Sequence, residues 1–518
     1  MSRLFATKPL AVLLGEANAA GALKRTLGAG HLTALGVGAI IGSGLFIRTA
    51  NAVSQASGPA VTLAFVLAAL GCVFAGLCYA EFAAMIPIAG SAYTYAYTTM
   101  GEFVAWVIGW ALIMEYALGA ATVSIGWSEY LSKLLDAFGV HLPYGLTHSP
   151  LESAVLGGVT EHGLVNLPAV LVVVALSLLL IKGTQESAVF NSVMVVVKVT
   201  VVLLFIGVGW QFINPANHTP YLIPDDAAPV RNAAGQIVRE YSAWNKHGLG
   251  GILGGAAIVF FAFIGFDAVS TAAQEARNPR RDMPISILGS LAICTVLYVL
   301  FGHVLTGVAH WREFADPSLG AEASVAYAIR AHMPGYGWLA TAVTLAILLG
   351  FSSVVLVMLM GQSRVFFSMA QDGLMPRAFA ELHPRYRTPY KSNLVLMGFV
   401  GVFAAFVPGS LAGDLTSFGT LLAFVLVSIG VWLMRRSHPA QPRPFRAPLS
   451  SPRFPLIPLL GAMLCAALIA ALDAFTLQVA AIWMLLGFAV YFLYGRKNSK
   501  LQQGIVVLPE ELAEPVGK

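Results

Sequence analysis

Twelve runs of mostly apolar residues, each close to bilayer length, decide most of what this chain can fold into. They lie near 31–53, 59–86, 101–131, 165–182, 187–212, 249–275, 283–310, 338–370, 391–408, 413–434, 455–474 and 477–495. A helix needs about 20 apolar residues to cross a bilayer. Charged residues make up 11% of the chain and hydrophobic ones 58%, with a mean hydropathy of +0.77. A soluble domain carries roughly 25% charge. A soluble core cannot hide this apolar surplus, so the pattern predicts an all-α polytopic membrane protein with twelve transmembrane helices. Runs 3 and 8 are long enough to tilt or to extend past the membrane. Residues 87–100 lack charge and carry Pro87, Gly90, Ser91 and three tyrosines, which reads as a re-entrant or interfacial piece. The first 29 residues have no continuous apolar core and no clear small-residue cleavage site, so no cleavable signal peptide is expected. Cys72, Cys78, Cys294 and Cys465 all fall in apolar runs without metal-ligand spacing and read as packing residues.

Orientation follows from the distribution of Lys and Arg. With the N-terminus in the cytoplasm, 22 cations fall on that side and six outside, while Arg48 and Lys198 lie within spans. Both termini are therefore expected in the cytoplasm and the protein in the plasma (inner) membrane, in contact with lipid. The net charge of +5 reflects this topology rather than a nucleic-acid partner.

Two runs are interrupted. Gly36, Gly38, Gly42 and Gly44 crowd the first, and glycine costs a helix about 1 kcal/mol relative to alanine. The sixth contains Phe260-Phe-Ala-Phe-Ile-Gly-Phe-Asp267, followed by Gln274 and Glu275. Non-helical backbone at membrane depth is tolerated only where it is buried in protein or lines a cavity. Two interrupted helices in corresponding halves point to a secondary transporter's site near the midplane. Runs 1 and 6 fit as the first helices of two five-helix repeats, 31–212 and 249–434. Around them the sequence suggests a cytoplasmic N-terminal segment (1–30), an extracellular loop (213–248), a cytoplasmic loop (435–454), helices 11 and 12 (455–495) and a cytoplasmic tail (496–518). The halves are not visibly similar in sequence, so the repeat rests on helix number and interruption alone. The N-terminal end of a half-helix offers unpaired N–H groups and a positive dipole end, which suit a carboxylate. Gly42, Ser43 and Gly44 allow its close approach, and free carbonyls from Ala262 to Gly265 could accept from an ammonium group. Backbone alone would then read both ends of an α-amino acid.

Five stretches also carry a family pattern. These are Gly36–Phe46; Cys78–Tyr97; Phe260–Asp282, ending Glu275-Ala-Arg-Asn-Pro-Arg-Arg-Asp; Ser363–Pro376; and the arginines of the loop before run 11. Over about 30–495 the chain resembles the amino acid–polyamine–organocation superfamily, specifically the bacterial cationic amino acid transporters. The resemblance implies a LeuT-like 5+5 inverted repeat with discontinuous helices 1 and 6, and uptake of L-amino acids. Arg48 departs from the pattern, which more often has an apolar residue there.

Single residues can be weighed against plainer roles. Gly38-x-x-x-Gly42 would also allow close helix packing, but the second break and the family motif favour substrate binding at Gly42–Gly44. Lys198, mid-span in Val193-Met-Val-Val-Val-Lys-Val-Thr-Val-Val, lies too deep to snorkel comfortably and is functional by default. Burial disfavours a charged ammonium, so such a group could load and release a proton. In related proton-coupled transporters a lysine of this helix occupies the space of a sodium ion, and Ser352 and Ser353 are vestigial candidates for the rest of that sodium site. Glu115 could face the substrate or serve as a structural partner for a polar group, Lys198 included. Asp267, Glu275 and Glu81 read as gating or structural residues, with Arg277 or Arg364 as a partner for Glu275. Ile40, Ile41, Phe260 and Val354 would give the pocket an apolar lining. One of Phe260, Phe261 and Phe263 would cap the substrate. Arg277, Arg280 and Arg281 read more simply as cytoplasmic anchors.

No His-Glu-x-x-His site, nucleophile elbow or phosphate loop is present in the sequence, and the eleven histidines lack ligand spacing, so neither an enzyme nor a cofactor or resident metal is expected. Gly42-x-Gly44 lacks the third glycine and βαβ context of a dinucleotide site. A channel would need polar rings or a filter. The sequence therefore points to an L-amino acid permease working by alternating access, proton-coupled and sodium-independent, for small or broad-range substrates. Arginine or lysine transport or exchange is the alternative, and a channel the alternative outside this class. Oligomeric state is left open, with a monomer one option.

Overall fold

In the computed structural model, residues 3–9, 27–86, 91–156, 159–182, 188–231, 235, 237–271, 273, 276–315, 324–386, 388–451 and 453–505 are described. Eight helical stretches among them are long and apolar enough to cross a membrane, and four shorter apolar helices accompany them (Ala29–Ile40, Leu167–Lys182, Tyr390–Phe406 and Leu456–Ala470). All twelve apolar runs thus become helix. Their ends shift by a few residues, as in Glu102–Ala137 for run 3 and Gly337–Gln371 for run 8. Ser91–Thr99 is a short helix whose residues are almost all buried against neighbouring helices, so the expected interfacial piece is part of the protein interior. Residues 87–90 lie outside the described residues. Two small antiparallel hairpins, Ser153–Leu156 with Val159–His162 and Val230–Arg231 with Ile237–Arg239, decorate the loops.

Helix neighbours exchange reciprocally between the two halves. Val61–Met85 packs on Pro279–Val308, Gly119–Ala137 on Gly337–Gln371, and Leu167–Lys182 on Tyr390–Phe406. The interrupted helices follow the same rule: Ala29–Ile40 packs on Pro279–Val308, and Gly248–Val259 on Val61–Met85. Each half lends its first helix to the second helix of the other, so both breaks are held at the centre of the bundle. The four cysteines are buried and unbridged, as packing residues should be.

Both ends of the described chain lie on one face. Lys8 Nζ is 3.1 Å from Asp372 Oδ1, and the Lys500 amide donates to the Asp372 carbonyl at 3.0 Å. The buried Glu102 carboxylate accepts from the Tyr97 and Tyr491 hydroxyls, both at 3.0 Å, and from Ser499. Near the same helix ends, Glu81 and Arg435 form a two-pronged ion pair, 2% and 1% exposed. The Ala447 amide also donates to Glu81 at 2.9 Å, which ties the 438–455 loop to the bundle.

On a loop beyond the 279–308 helix, burial alone would raise the pKa of Glu313. Three donors outweigh it and hold the carboxyl below its usual range: Tyr327 Oη at 2.6 Å, His332 Nε2 at 2.7 Å and the His310 amide at 2.9 Å. A depressed carboxyl pKa contributes stability above the unfolded-state pKa, about 4.3 for Glu, and that contribution is lost as pH falls through the folded value. Glu313→Gln is therefore expected to lower the melting temperature at pH 7. The gap to the parent should close progressively as the pH is taken below about 4, in thermal unfolding of the detergent-solubilised protein.

Candidate functional site

At the first break, Ile41 leaves the helix with ψ 101°, and the chain resumes as a wide π-type turn over Gly44–Arg48. At the second, the helix Gly248–Val259 tightens to a 3₁₀ turn over Phe260–Phe263. Ile264 is then extended (ψ 137°) and Gly265 takes φ +112°, a conformation that favours glycine, before helix returns at Ala268–Thr271. The two breaks touch. A Cβ placed on Gly44 would lie 2.3 Å from the Ala262 Cα, and one on Gly265 would lie 2.9 Å from the Ala39 carbonyl oxygen. Gly44 thus meets Ala262, and Gly265 meets Ala39, in one crossing. Val354 of the 337–371 helix closes on Gly42, 3.4 Å from where its Cβ would stand.

Breaking a helix frees carbonyls that must find other donors when buried. Tyr298, buried on the 279–308 helix, supplies one to both breaks: its hydroxyl lies 3.0 Å from the Ile40 carbonyl and 3.0 Å from that of Ala262. Its position in a regular apolar run gave no signal of this role. The phenylalanines divide. Phe263 packs edge-on to Phe65 and beside Tyr298, Phe260 meets Phe424 edge-on, and Phe261 lies under the Arg48 guanidinium at 6.0 Å.

Glu115 and Tyr116 sit on a second π-type turn, Met114–Leu118, in the third span. Such bulges are frequent at functional sites. Tyr116 Oη donates to Asp267 at 2.7 Å, and the Glu115 carboxyl neighbours that of Asp267 and the Thr420 hydroxyl. Both carboxyls are fully buried. Lys198 goes elsewhere: its ammonium donates to the Gly38 carbonyl at 2.9 Å, just before the first break, and its stem crosses Gly350. It is 3% exposed and borders a narrow cleft with Ile41, Phe46 and Phe351. Ser352 and Ser353 lie next along that helix, with their hydroxyls turned back to the carbonyls of Leu348 and Gly350 at 2.9 and 2.8 Å. Glu81 is distant in role, engaged by Arg435 as described above. Glu275 lies outside the described residues.

The profile of the amino acid permease family matches residues 27–505, nearly the whole chain. The chain belongs to that family, within the amino acid–polyamine–organocation superfamily. The permease is 41% identical over 500 residues to the branched-chain amino acid permease BcaP of Bacillus subtilis, covering 96% of this chain and 99% of that protein. It is 37% identical over 506 residues to the methylthioribose transporter of the same organism, covering 97% and 100%. To the vacuolar cationic amino acid transporter 4 of Arabidopsis thaliana it is 33% identical over 418 residues, 80% and 64% of the two chains. The permease is therefore an integral membrane transporter of amino acids rather than an enzyme.

Arg48, a charge within the first span, proves to be paired. Its guanidinium meets Asp414 of the 409–437 helix, and Nη1 donates to the Ser410 carbonyl at 3.3 Å. The pair joins the resumed half of the first broken helix to the tenth span. Neither Asp414 nor Arg435 stood out in the sequence, because each lies near the end of a run where a charge is unremarkable.

Proposed function

We propose that the permease takes up neutral L-amino acids by proton-coupled, sodium-independent alternating access in the plasma membrane, with both termini in the cytoplasm. The observation that carries the coupling is the Lys198 ammonium on the Gly38 carbonyl. A buried cation bridges the first broken helix and the 337–371 helix, and so supplies from the protein the positive charge that a bound metal cation would otherwise bring. Proton loss from this amine would turn a charge-assisted hydrogen bond to Gly38 into a weaker neutral one and loosen the broken helix, which gives substrate movement a chemical trigger. The apolar surroundings of the break (Ile40, Ile41, Val354) and the name of the branched-chain relative support a neutral, apolar side chain. The orientation rests on the excess of Lys and Arg on the face that holds the termini.

One observation favours a second reading, transport of arginine or lysine. Glu115 and Asp267 form a buried pair of carboxyls close to the second break, and other relatives are named cationic amino acid transporters. Uptake into proteoliposomes separates the readings: neutral, branched-chain substrates should compete at least tenfold better than arginine or lysine. Lys198→Met is expected to abolish the stimulation of uptake by an inward proton gradient, with no response to sodium in either protein. Gradient stimulation that survives in Lys198→Met would remove Lys198 from the coupling.

A further inference from the structure

The arginines before the eleventh span take no part in the site at the breaks. From Arg435 to the start of the 456–470 helix the chain carries Arg435, Arg436, Arg443, Arg446 and Arg453, and no Asp or Glu. Among the described residues, Glu81 is the carboxylate that faces them: Arg435 grips it, and Arg443 Nε lies 3.4 Å away. Burial and the like charges of Arg435 and Arg446 outweigh Glu81 and draw the Arg443 guanidinium below its usual pKa. Arg446 and Arg453 are exposed and meet no carboxylate among the described residues. Arg436, also exposed, lies over the Trp432 ring at 4.6 Å, an arrangement suited to a membrane interface. The cluster is short of negative charge.

The same loop turns large apolar side chains outward. Leu449 is 76% exposed and Phe454 61%. Leu449 holds φ +50°, a backbone conformation that L side chains rarely adopt. The backbone around it is pinned to the bundle. Arg435 donates to the Ser450 carbonyl at 2.8 Å and to that of Ala447 at 3.3 Å, while the Ala447 amide donates to Glu81. The Ser451 amide donates to the Phe454 carbonyl and the Phe454 amide to the Ser451 hydroxyl, both at 3.0 Å. Leu449 and Phe454 are thus held outward by the fold. They continue the exposed apolar surface of the adjoining spans, where Leu433 is 36% and Leu459 42% exposed. Apolar side chains set among arginines suit the boundary of a bilayer, where the former enter the acyl region and the latter meet phosphate.

We propose that the 438–455 loop is a docking surface for anionic phospholipid of the inner leaflet. Arg446 and Arg453 donate to the lipid phosphate, with Arg436 beside them, and Leu449 and Phe454 enter the acyl boundary. The occupant is a lipid rather than a soluble anion, because the arginines come with outward apolar side chains and adjoin two spans. Arg435 joins the loop to Glu81 on the 61–85 helix, so a bound lipid braces the helix on which the second broken helix packs. The place at the inner leaflet rests on the orientation proposed above; the headgroup chemistry does not.

The test is lipid titration of the full-length, detergent-solubilised protein, read by native mass spectrometry. The wild-type protein should bind its first phosphatidylglycerol about tenfold more tightly than phosphatidylcholine, the order expected for two or three basic residues at an anionic surface. Arg446→Gln/Arg453→Gln should lose that preference while binding phosphatidylcholine as before, which also reports folding. Arg231→Gln/Arg312→Gln, which removes exposed arginines of other loops, should keep it. Leu449→Ser/Phe454→Ser should weaken binding of phosphatidylglycerol. Soluble glycerophosphoglycerol, the headgroup without acyl chains, should not displace the lipid. No preference in the wild type, its survival in Arg446→Gln/Arg453→Gln, its loss in Arg231→Gln/Arg312→Gln, undiminished binding in Leu449→Ser/Phe454→Ser, or displacement by the soluble headgroup would each overturn the lipid site. Orientation is read separately, with Pro442→Cys in the exposed part of the loop, since the four native cysteines are buried. Labelling of this cysteine in intact cells by an impermeant maleimide would overturn the inner-leaflet placement and leave the lipid preference as it stands, so the two failures are distinguishable.

Discussion

Replacing Gly44 by alanine is expected to reduce amino acid uptake at least tenfold. The added methyl would stand 2.3 Å from the Cα of Ala262 and 2.7 Å from its backbone nitrogen. No rotamer can relieve such a contact, since the obstacle is main chain held at the other break. The two half-helices must separate, and overpacking of this kind costs about 1–3 kcal/mol or more. Separation also pulls apart the two backbone surfaces that would read the substrate's carboxylate and ammonium ends. Gly42→Ala provides a graded comparison, because its methyl would make ordinary contact with Val354 at 3.4 Å, and Gly28→Ala a control, with nothing within 4 Å. Uptake by proteoliposomes, alongside size-exclusion profiles that report folding, should rank the three with Gly44→Ala lowest. Wild-type uptake in Gly44→Ala would mean that the breaks do not act in contact.

The largest effect on stability is expected at the Glu81–Arg435 pair. Arg435→Met leaves the Glu81 carboxylate buried with its main cation gone, although Arg443 Nε remains 3.4 Å away. Breaking a buried pair from one side typically costs about 3–5 kcal/mol, whereas replacing both partners with apolar or neutral groups of similar size can be nearly neutral. The double variant Glu81→Gln/Arg435→Met should therefore melt closer to the parent than Arg435→Met does. Thermal unfolding in detergent is the measurement. If the double variant is as unstable as the sum of the single ones, the two side chains are not coupled. The pair also fastens the 438–455 loop through the Ala447 amide. Arg435→Met should accordingly make that loop more susceptible to protease, as a local effect beside the global one.

What could be read from the sequence depended on how local its cause was. The twelve helices were legible because bilayer length and hydropathy are properties of a single run. Both breaks were legible because glycines and an acid in an apolar span contradict their surroundings. Lys198 was conspicuous for the same reason. Its partner was not: a backbone carbonyl such as that of Gly38 has no sequence signature. Tyr298 is the clearest loss. A tyrosine in an apolar helix is unremarkable, and its bonds to Ile40 and Ala262 exist only because three helices from both halves converge.

By itself, then, the sequence determined the membrane-spanning helical class, the number of spans, the two interruptions and the odd charges within the bilayer. The costs behind these belong to individual residues in a low-dielectric medium. The tertiary structure alone decided that the interruptions lie against each other at Gly44 and Ala262, that Arg48 pairs with Asp414, that Glu115 neighbours Asp267, and that the interior holds the 91–99 helix. Each of these depends on which helices become neighbours, and packing across the bundle sets that choice. Apolar runs of similar composition do not specify it.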